Sequence, residues 1–265
     1  MTKSCQTEEQ AEVDPVIAAS IDGLKALCEE YKIQASHGLE HALRVLEHAD
    51  KALSMADDIC EDRKQAVRLA ALLHDADDRK LFGKKGEGAK NAERIMQQAN
   101  AKELVIGDAV RMIGFVSCSA NGNSIPEDAT HEPELLWPRW ADRLEATGEI
   151  GIVRCWQYNC EVGAPLVLSD TPRPKSEDEV WAHATNERFE RYQTSGGKSN
   201  SMLDHYYDKL LRVACPPFCY VRNGYLEQEM TSRAQPLVQV CLEYGLTGIL
   251  PLNDEIISDK AQLVQ

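Results

Sequence analysis

"RLAALLHDADDRKLFG", residues 68–83, joins an apolar run to a dense polar end. Leu69 to Leu73 forms an apolar run of helical character. It ends abruptly in His74-Asp75, followed by Asp77, Asp78, Arg79 and Lys80. A hydrophobic segment that runs into a histidine, three carboxylates and two cations within seven residues has two readings. Either a buried helix reaches the surface and turns polar, or metal ligands sit on the rigid end of that helix.

The neighbouring sequence is helical on both sides. Asp14-Pro15 reads as an N-cap followed by proline at the first helical position. Ile17, Ile21, Leu24, Cys28 and Tyr31 then recur at three- and four-residue steps, the signature of one helix face. The same spacing predicts helices over 38–56, 61–74, 87–99 and 101–117. Another is expected over 134–147, continuing through Ile150, Ile152, Val153 and Trp156. Residues 114–133 read as a loop from their glycine, asparagine, serine and proline content. The best strand candidate is "APLVLSD", residues 164–170, and it is short. Residues 163–200 read as irregular around one helix near 177–192, and closing helices fit 201–213 and 225–244. With no alternation of period two, no repeat and no linker, the expected fold class is all-α. Its expected organisation is a tail over 1–13, one helical bundle over 14–250 and a second tail over 251–265.

The composition narrows the function classes. The chain has 265 residues, 43% hydrophobic and 27% charged, enough to bury a core. A formal net charge of -14 repels nucleic-acid backbones and acidic membrane surfaces, so neither is an expected partner. The nine cysteines are scattered without C-x-x-C spacing, "CPPFC" at 215–219 coming closest. No signal peptide and no membrane span are read, and reduced thiols in a cytoplasmic protein are expected. "SGGKSNS" resembles part of a phosphate-binding loop, but that motif requires glycine where Tyr192 stands.

Four residues on three expected helices make a chemically coherent set: His41, His74, Asp75 and Asp142. Imidazole with carboxylate suits one divalent ion, Mn²⁺ first, with Fe²⁺, Ni²⁺, Zn²⁺ or Mg²⁺ as alternatives. Taken singly, each has a plain structural reading as a packed histidine or an exposed ion pair. The flanking residues add more. "HGLEHALRV" (37–45), "LLHDADDRKLFG" (72–83) and "ADRLEATGEIGIVR" (141–154) together resemble the HD-domain phosphohydrolases, and most closely their YedJ/YpgQ-like branch. His37, His41, Arg44 and Val45 match an H-x-x-x-H-x-x-R-V run, and Asp78, Arg79 and Lys80 a D-x-K element. Asp142 to Arg154 match D-R-L-x-A-x-G-x-I-G-I-x-R. "SMLDHYYDKLL" (201–211) is similar to a fourth segment, with one inserted residue, so the likeness spans roughly residues 15–245.

The resemblance implies an HD-domain bundle in which His41, His74, Asp75 and Asp142 hold the ion. It implies hydrolysis of a phosphoanhydride or phosphoester in a small phosphorylated molecule, a nucleotide for preference, by a metal-bound water. Asp78 stands where an acid would orient that water or protonate the leaving group, or it simply caps and pairs. Lys80, Lys84 and Lys85 follow as candidate substrate contacts in an acidic chain, or as a solvated loop. His37, His205 and Lys209 are further candidates for substrate contact. Arg44 either touches substrate or pairs with a helix carboxylate that holds the ligand helix. Relatives carry another histidine where Val116 and Ser117 stand here, which favours a one-metal site. It weakens the alternative of a two-iron, oxygen-using enzyme on the same fold. A non-catalytic sensor or scaffold is the rival from another class.

Overall fold

The computed structural model describes residues 14–33, 37–78 and 90–263. The expected tail at 1–13 and the candidates Lys80, Lys84 and Lys85 lie outside the described residues. Among those described, the secondary structure is helical throughout, with no strand.

Helix α1 spans Pro15–Tyr31 and starts as its sequence demands. Asp14 Oδ1 accepts from the Val16 and Ile17 N–H groups at 2.9 and 3.4 Å, a cap that contributes about 1 kcal/mol. The other oxygen accepts from Gln65 at 2.8 Å and ties this end to the third helix. Helix α2, Leu39–Ser54, buries Ala42, Val45, Leu46, Ala49 and Leu53, the apolar side of its sequence. Helix α3, Glu61–Leu73, is closed on nearly all sides from Ala66 onward, as expected for a helix at the centre of a core. Its apolar run holds it rigidly up to the point where His74 and Asp75 turn out of it.

Helix α4, Lys90–Gln98, is capped from a distance. The Asp77 carboxylate accepts from the Asn91 and Ala92 N–H groups, both at 2.9 Å. One carboxylate of the opening stretch is thereby used structurally. Helix α5 covers Glu103–Val116, and part of the expected loop that follows is also helical: α6 at Cys118–Asn121 and 3-10 turns at Asp128–Thr130 and Pro133–Leu136. Helix α7, Trp137–Glu145, and helix α8, Gly148–Glu161, are separate, where one continuous helix was expected. Gly148 sits at φ +66, a left-handed conformation that breaks the helix and that a side chain would strain.

"APLVLSD" has no strand to pair with. Instead the Pro165 and Leu166 carbonyls accept from Met202 N and Leu203 N at 2.9 and 3.0 Å, satisfying donors that a helix start leaves open. Residues 163–200 hold two helices rather than one, α9 at Glu177–His183 and α10 at Asn186–Thr194, capped by Ser176 and Thr185. Helix α11, Met202–His205, runs through a π-helical turn at Tyr206–Leu210 into α12, Leu211–Ala214. Helix α13 is Gly224–Thr247. The expected tail after residue 250 contains α14, Asp254–Leu263, whose Ile257 is buried with Leu252. Two apolar side chains find cover there, which periodicity in so short and charged a segment does not reveal.

Two cores result. The first is built by α1–α5 and α7, the second by α8, α9, α11, α12 and the end of α13. Helix α13 joins them: Leu226 and Met230 lie in the first, and Leu237, Val238, Cys241 and Tyr244 in the second. The seam between these cores is where the cleft opens.

Candidate metal centre

His41 comes from α2, His74 and Asp75 from the turn that ends α3, and Asp142 from α7. These elements pack on one another through the first core, and the four side chains converge. His41 Nε2 lies 3.2 Å from His74 Nε2 and 3.4 Å from Asp142 Oδ1. His74 Nε2 is 3.5 Å from the same oxygen. Asp75 Oδ2 lies 3.3 Å from His74 Nε2 and 3.8 Å from His41 Nε2. Ligand atoms of His41, His74 and Asp142 all fall within 4.8 Å of one another. Donors that each sit about 2.0–2.2 Å from a common ion are separated by about 3–3.5 Å, so this spacing fits a divalent cation.

The electrostatics agree with the geometry. Both imidazoles are buried, with side chains 1% and 2% exposed, while the carboxylates are 22% and 26% exposed. His74 Nδ1 lies 2.8 Å from the Ala71 carbonyl, so that nitrogen donates and the ring is held with Nε2 turned to the cluster. Burial and the nearby Arg154 guanidinium push His41 down to about 4, leaving a neutral imidazole at neutral pH. Burial alone would lower His74 too, but Asp75 and Asp142 raise it well above the ordinary range. The two carboxylates are held low against their own burial, Asp75 chiefly by His74, Asp142 by His41 and His74. The site thus draws positive charge to the point where its donors meet.

The cluster opens onto a cleft of about 760 Å³. Asp75, Asp78 and Asp142 line one wall; Arg154 from α8 and Lys209 from the π-turn line the other. Arg154 is half-buried and donates to the Glu145 carbonyl at 2.8 Å. Burial lowers Arg154, opposed by Asp142, Glu145 and Asp75. Burial opposes the Lys209 ammonium as well, but Tyr192, Cys118 and Asp142 raise it on balance. A second compartment of about 470 Å³ shares Arg154, Lys209, Tyr192 and His37 with the first, and adds Tyr158, Asn159 and His205.

The other expected residues divide. Asp78 is half-buried on the cleft, and its N–H donates to the Asp75 carbonyl at 3.1 Å. His37 stands between the two compartments, its ring edge-on to Tyr158 at 5.8 Å. Lys209 lines both compartments, but His205 lines only the second, with Nδ1 3.1 Å from Ser199 Oγ. Arg44 does not line the cleft: its Nε donates to Glu145 at 2.6 Å, which corrects its place among the substrate contacts. Helix α2 carries it on a face turned to α7, so the carboxylate partner wins. Val116 and Ser117 line the cleft and bring no imidazole, and among the described residues no further histidine joins the cluster.

Sequence reasoning missed Arg154, Tyr158 and Tyr192 as wall residues, and Glu145 and His48 behind the site. Arg154 ends a matched motif, which was the one available signal. The loop carrying Ser117 and Cys118 is fixed to α7: Arg139 donates to the Phe115 and Ser124 carbonyls, and Arg143 to Asn123 and Gly122, on either side of the buried Trp140.

No family model matches the chain. The uncharacterized protein L803 of Acanthamoeba polyphaga mimivirus is 37% identical over 222 residues, 79% of this chain and 88% of that one. Among solved structures, a Lactobacillus plantarum protein has a TM-score of 0.63 at 18% identity, covering 88% of this chain and 97% of its own. An HD-superfamily hydrolase from Bacillus thuringiensis has a TM-score of 0.55 at 20% identity, covering 86% and 94%. The Lin1889 protein of Listeria innocua has 0.53 at 17%, covering 90% and 97%. The chain therefore shares its fold with these structures, an HD-superfamily hydrolase among them, and it belongs to the same family as the mimivirus protein L803.

Proposed function

We propose that this protein is a metal-dependent phosphohydrolase acting on a small phosphorylated molecule, a nucleotide for preference. The single observation that carries the reading is the arrangement of the cleft. Three of the four converging donors, His74, Asp75 and Asp142, line the cleft with buried His41 beside them, and two half-buried cations, Arg154 and Lys209, line it as well. The HD-superfamily hydrolase of like fold supports the reaction class, and the motif likeness to the YedJ/YpgQ-like branch supports the substrate class.

A divalent ion held by His41, His74, Asp75 and Asp142 would supply acidified water and polarise a phosphoryl oxygen. The chain's own residues do the rest. Arg154 and Lys209 offset the charge of phosphate and fix its place against the donor wall. Asp78, three residues after Asp75 and on the same cleft, takes or returns a proton at its carboxylate. The second compartment receives the non-reacting part of the substrate, where Tyr158, Tyr192 and His37 offer ring surfaces. The net charge of -14 speaks against a polymeric nucleic acid as substrate.

The test is phosphate and pyrophosphate release from a panel of nucleotides with added Mn²⁺, beside an Asp142→Ala variant whose fold is verified. Release by the parent and its loss in the variant is the expected result. No release from metal-loaded parent on any nucleotide would remove the nucleotide from the reading.

A further inference from the structure

Behind the donor wall lies a polar arrangement that touches neither cleft nor ligand. Glu145 is 3% exposed, and both of its oxygens are bound by α2. Oε2 accepts from Arg44 Nε at 2.6 Å, and Oε1 lies 3.2 Å from His48 Nε2. His48 Nδ1 is in turn 2.6 Å from the Tyr225 hydroxyl on α13.

The spacing gives this arrangement its meaning. On α2, Arg44 and His48 follow His41 by three and seven residues, so all three share one helix face. On α7, Glu145 follows Asp142 by three. One turn, about 4.5 Å along each axis, separates the donor pair from the carboxylate contact. The His41–Asp142 approach of 3.4 Å and the Glu145 contacts are thus neighbouring rungs between the same two helices.

The two histidine donors are held differently. His74 is oriented by its own bond to Ala71 at 2.8 Å. His41 Nδ1 is buried with no hydrogen-bond partner. No partner on Nδ1 fixes the ring from behind, so the place of Nε2 relative to Asp142 depends on how α2 lies against α7. Glu145 joins those helices through both oxygens.

We propose that Glu145 is a positioning residue for the metal centre, clamping α2 to α7 through Arg44 and His48 and so setting the distance between the His41 and Asp142 donors. The inference rests on the metal reading above and adds to it a residue that contacts neither ion nor substrate.

The experiment uses the full chain and metal alone. Parent, Glu145→Gln and Arg44→Gln are titrated with Mn²⁺, free ion being counted by electron paramagnetic resonance. The visible spectrum of each Co²⁺-loaded protein and its urea midpoint are read on matched samples. Glu145→Gln keeps the shape but cannot accept from both partners equally well. It is expected to fold and to bind Mn²⁺ about 10–100-fold more weakly, with an altered Co²⁺ spectrum. Arg44→Gln is expected to move in the same direction by about tenfold or less. A purely structural role would lower the urea midpoint and leave the Co²⁺ spectrum of the folded protein unchanged. Mn²⁺ affinity within about twofold of parent and an unchanged spectrum in folded Glu145→Gln would overturn the clamp alone, because precision at this level lies well inside the effect expected. If Glu145→Gln does not fold, Arg44→Gln decides by the same two readings. A parent that binds neither ion overturns the metal reading, and the clamp with it.

Discussion

The two walls of the cleft are built on different principles. The donor wall takes all its groups from α2, the end of α3 and α7, which share the first core and meet along their lengths. His74 and Asp75 stand at the end of a buried apolar run, His41 in the first turn of α2 and Asp142 within α7. The cation wall takes Arg154 from α8 and Lys209 from a π-helical turn, both in the second core. That turn belongs to a segment fastened by a half-buried network. Arg188 donates to Asp204 at 2.9 Å and to Asp208 at 2.7 Å, while Ser201 donates to Asp204 at 2.7 Å. Asp204 and Asp208 therefore face α10, while His205 and Lys209, each one residue further on, line the second compartment. Both walls rest on apolar packing, but the cation wall adds to its core a guanidinium that ties two buried carboxylates of the segment carrying Lys209.

Four measurements test that contrast. The largest effect is expected on the donor wall. Asp142→Ala should abolish Mn²⁺ binding and reduce nucleotide hydrolysis on the order of a thousandfold, about 4 kcal/mol of transition-state stabilisation. Titration with Mn²⁺ and initial rates check it, and near-parental binding would remove Asp142 from the donor set.

Acid should then reveal the support behind that wall. Burial would raise Glu145, but hydrogen bonds from His48 and Arg44, with the Arg44 charge, hold it at about 2, below the ordinary 4.5. A depressed carboxyl contributes stability that is present above about 4.5 and lost as pH falls from there through about 2. The full window corresponds to about 3 kcal/mol. Urea unfolding at pH 6 and pH 3 should show the parent losing more stability than Glu145→Gln. Equal losses would mean that Glu145 is not held low.

On the opposite wall, Lys209→Met should leave Mn²⁺ affinity nearly unchanged and reduce kcat/KM about a hundredfold, the scale for removing one group that stabilises developing charge. A matching loss of metal affinity would mean that the walls are not independent. The smallest effect is expected from the network that carries Lys209. Arg188→Leu removes the cation from Asp204 and Asp208 but leaves Asp204 its Ser201 and Thr171 hydroxyl donors, so the expected cost is about 2 kcal/mol. Urea denaturation measures it. Loss of rate without loss of Mn²⁺ binding would tie Arg188 to the cation wall alone.

The donor wall was largely legible because its information is local. His74 and Asp75 are announced by the run that precedes them, and the matched motifs name His41 and Asp142. Arg44 shows the limit. Its position one turn after His41 was visible, but whether it faces phosphate or Glu145 depends on a helix 101 residues away in the chain. Lys209 was singled out from a matched segment, yet Arg154, Tyr158 and Tyr192 were not chosen. Arg154 at least ends a matched motif, whereas nothing around Tyr158 or Tyr192 distinguishes a cleft-facing side chain from an exposed one. No helix of the described residues is long and apolar enough to cross a membrane, in line with the hydropathy.

Helical periodicity, the cap at Asp14 and the apolar approach to His74 settle, within the sequence alone, an all-α chain with a histidine-aspartate pair on a rigid helix end. These are preferences of neighbouring residues, acting over one or two turns. Tertiary structure alone decided that Asp77 caps α4, that Glu145 occupies Arg44, and that the carbonyls of a short apolar run receive the N–H groups of a helix start rather than pair in a strand. It also turned the expected C-terminal tail into a helix packed on the second core. Each is a competition for one buried polar group or apolar face among partners far apart in the chain. Only the packed core determines which partner comes within 3 Å or so, the reach of a hydrogen bond.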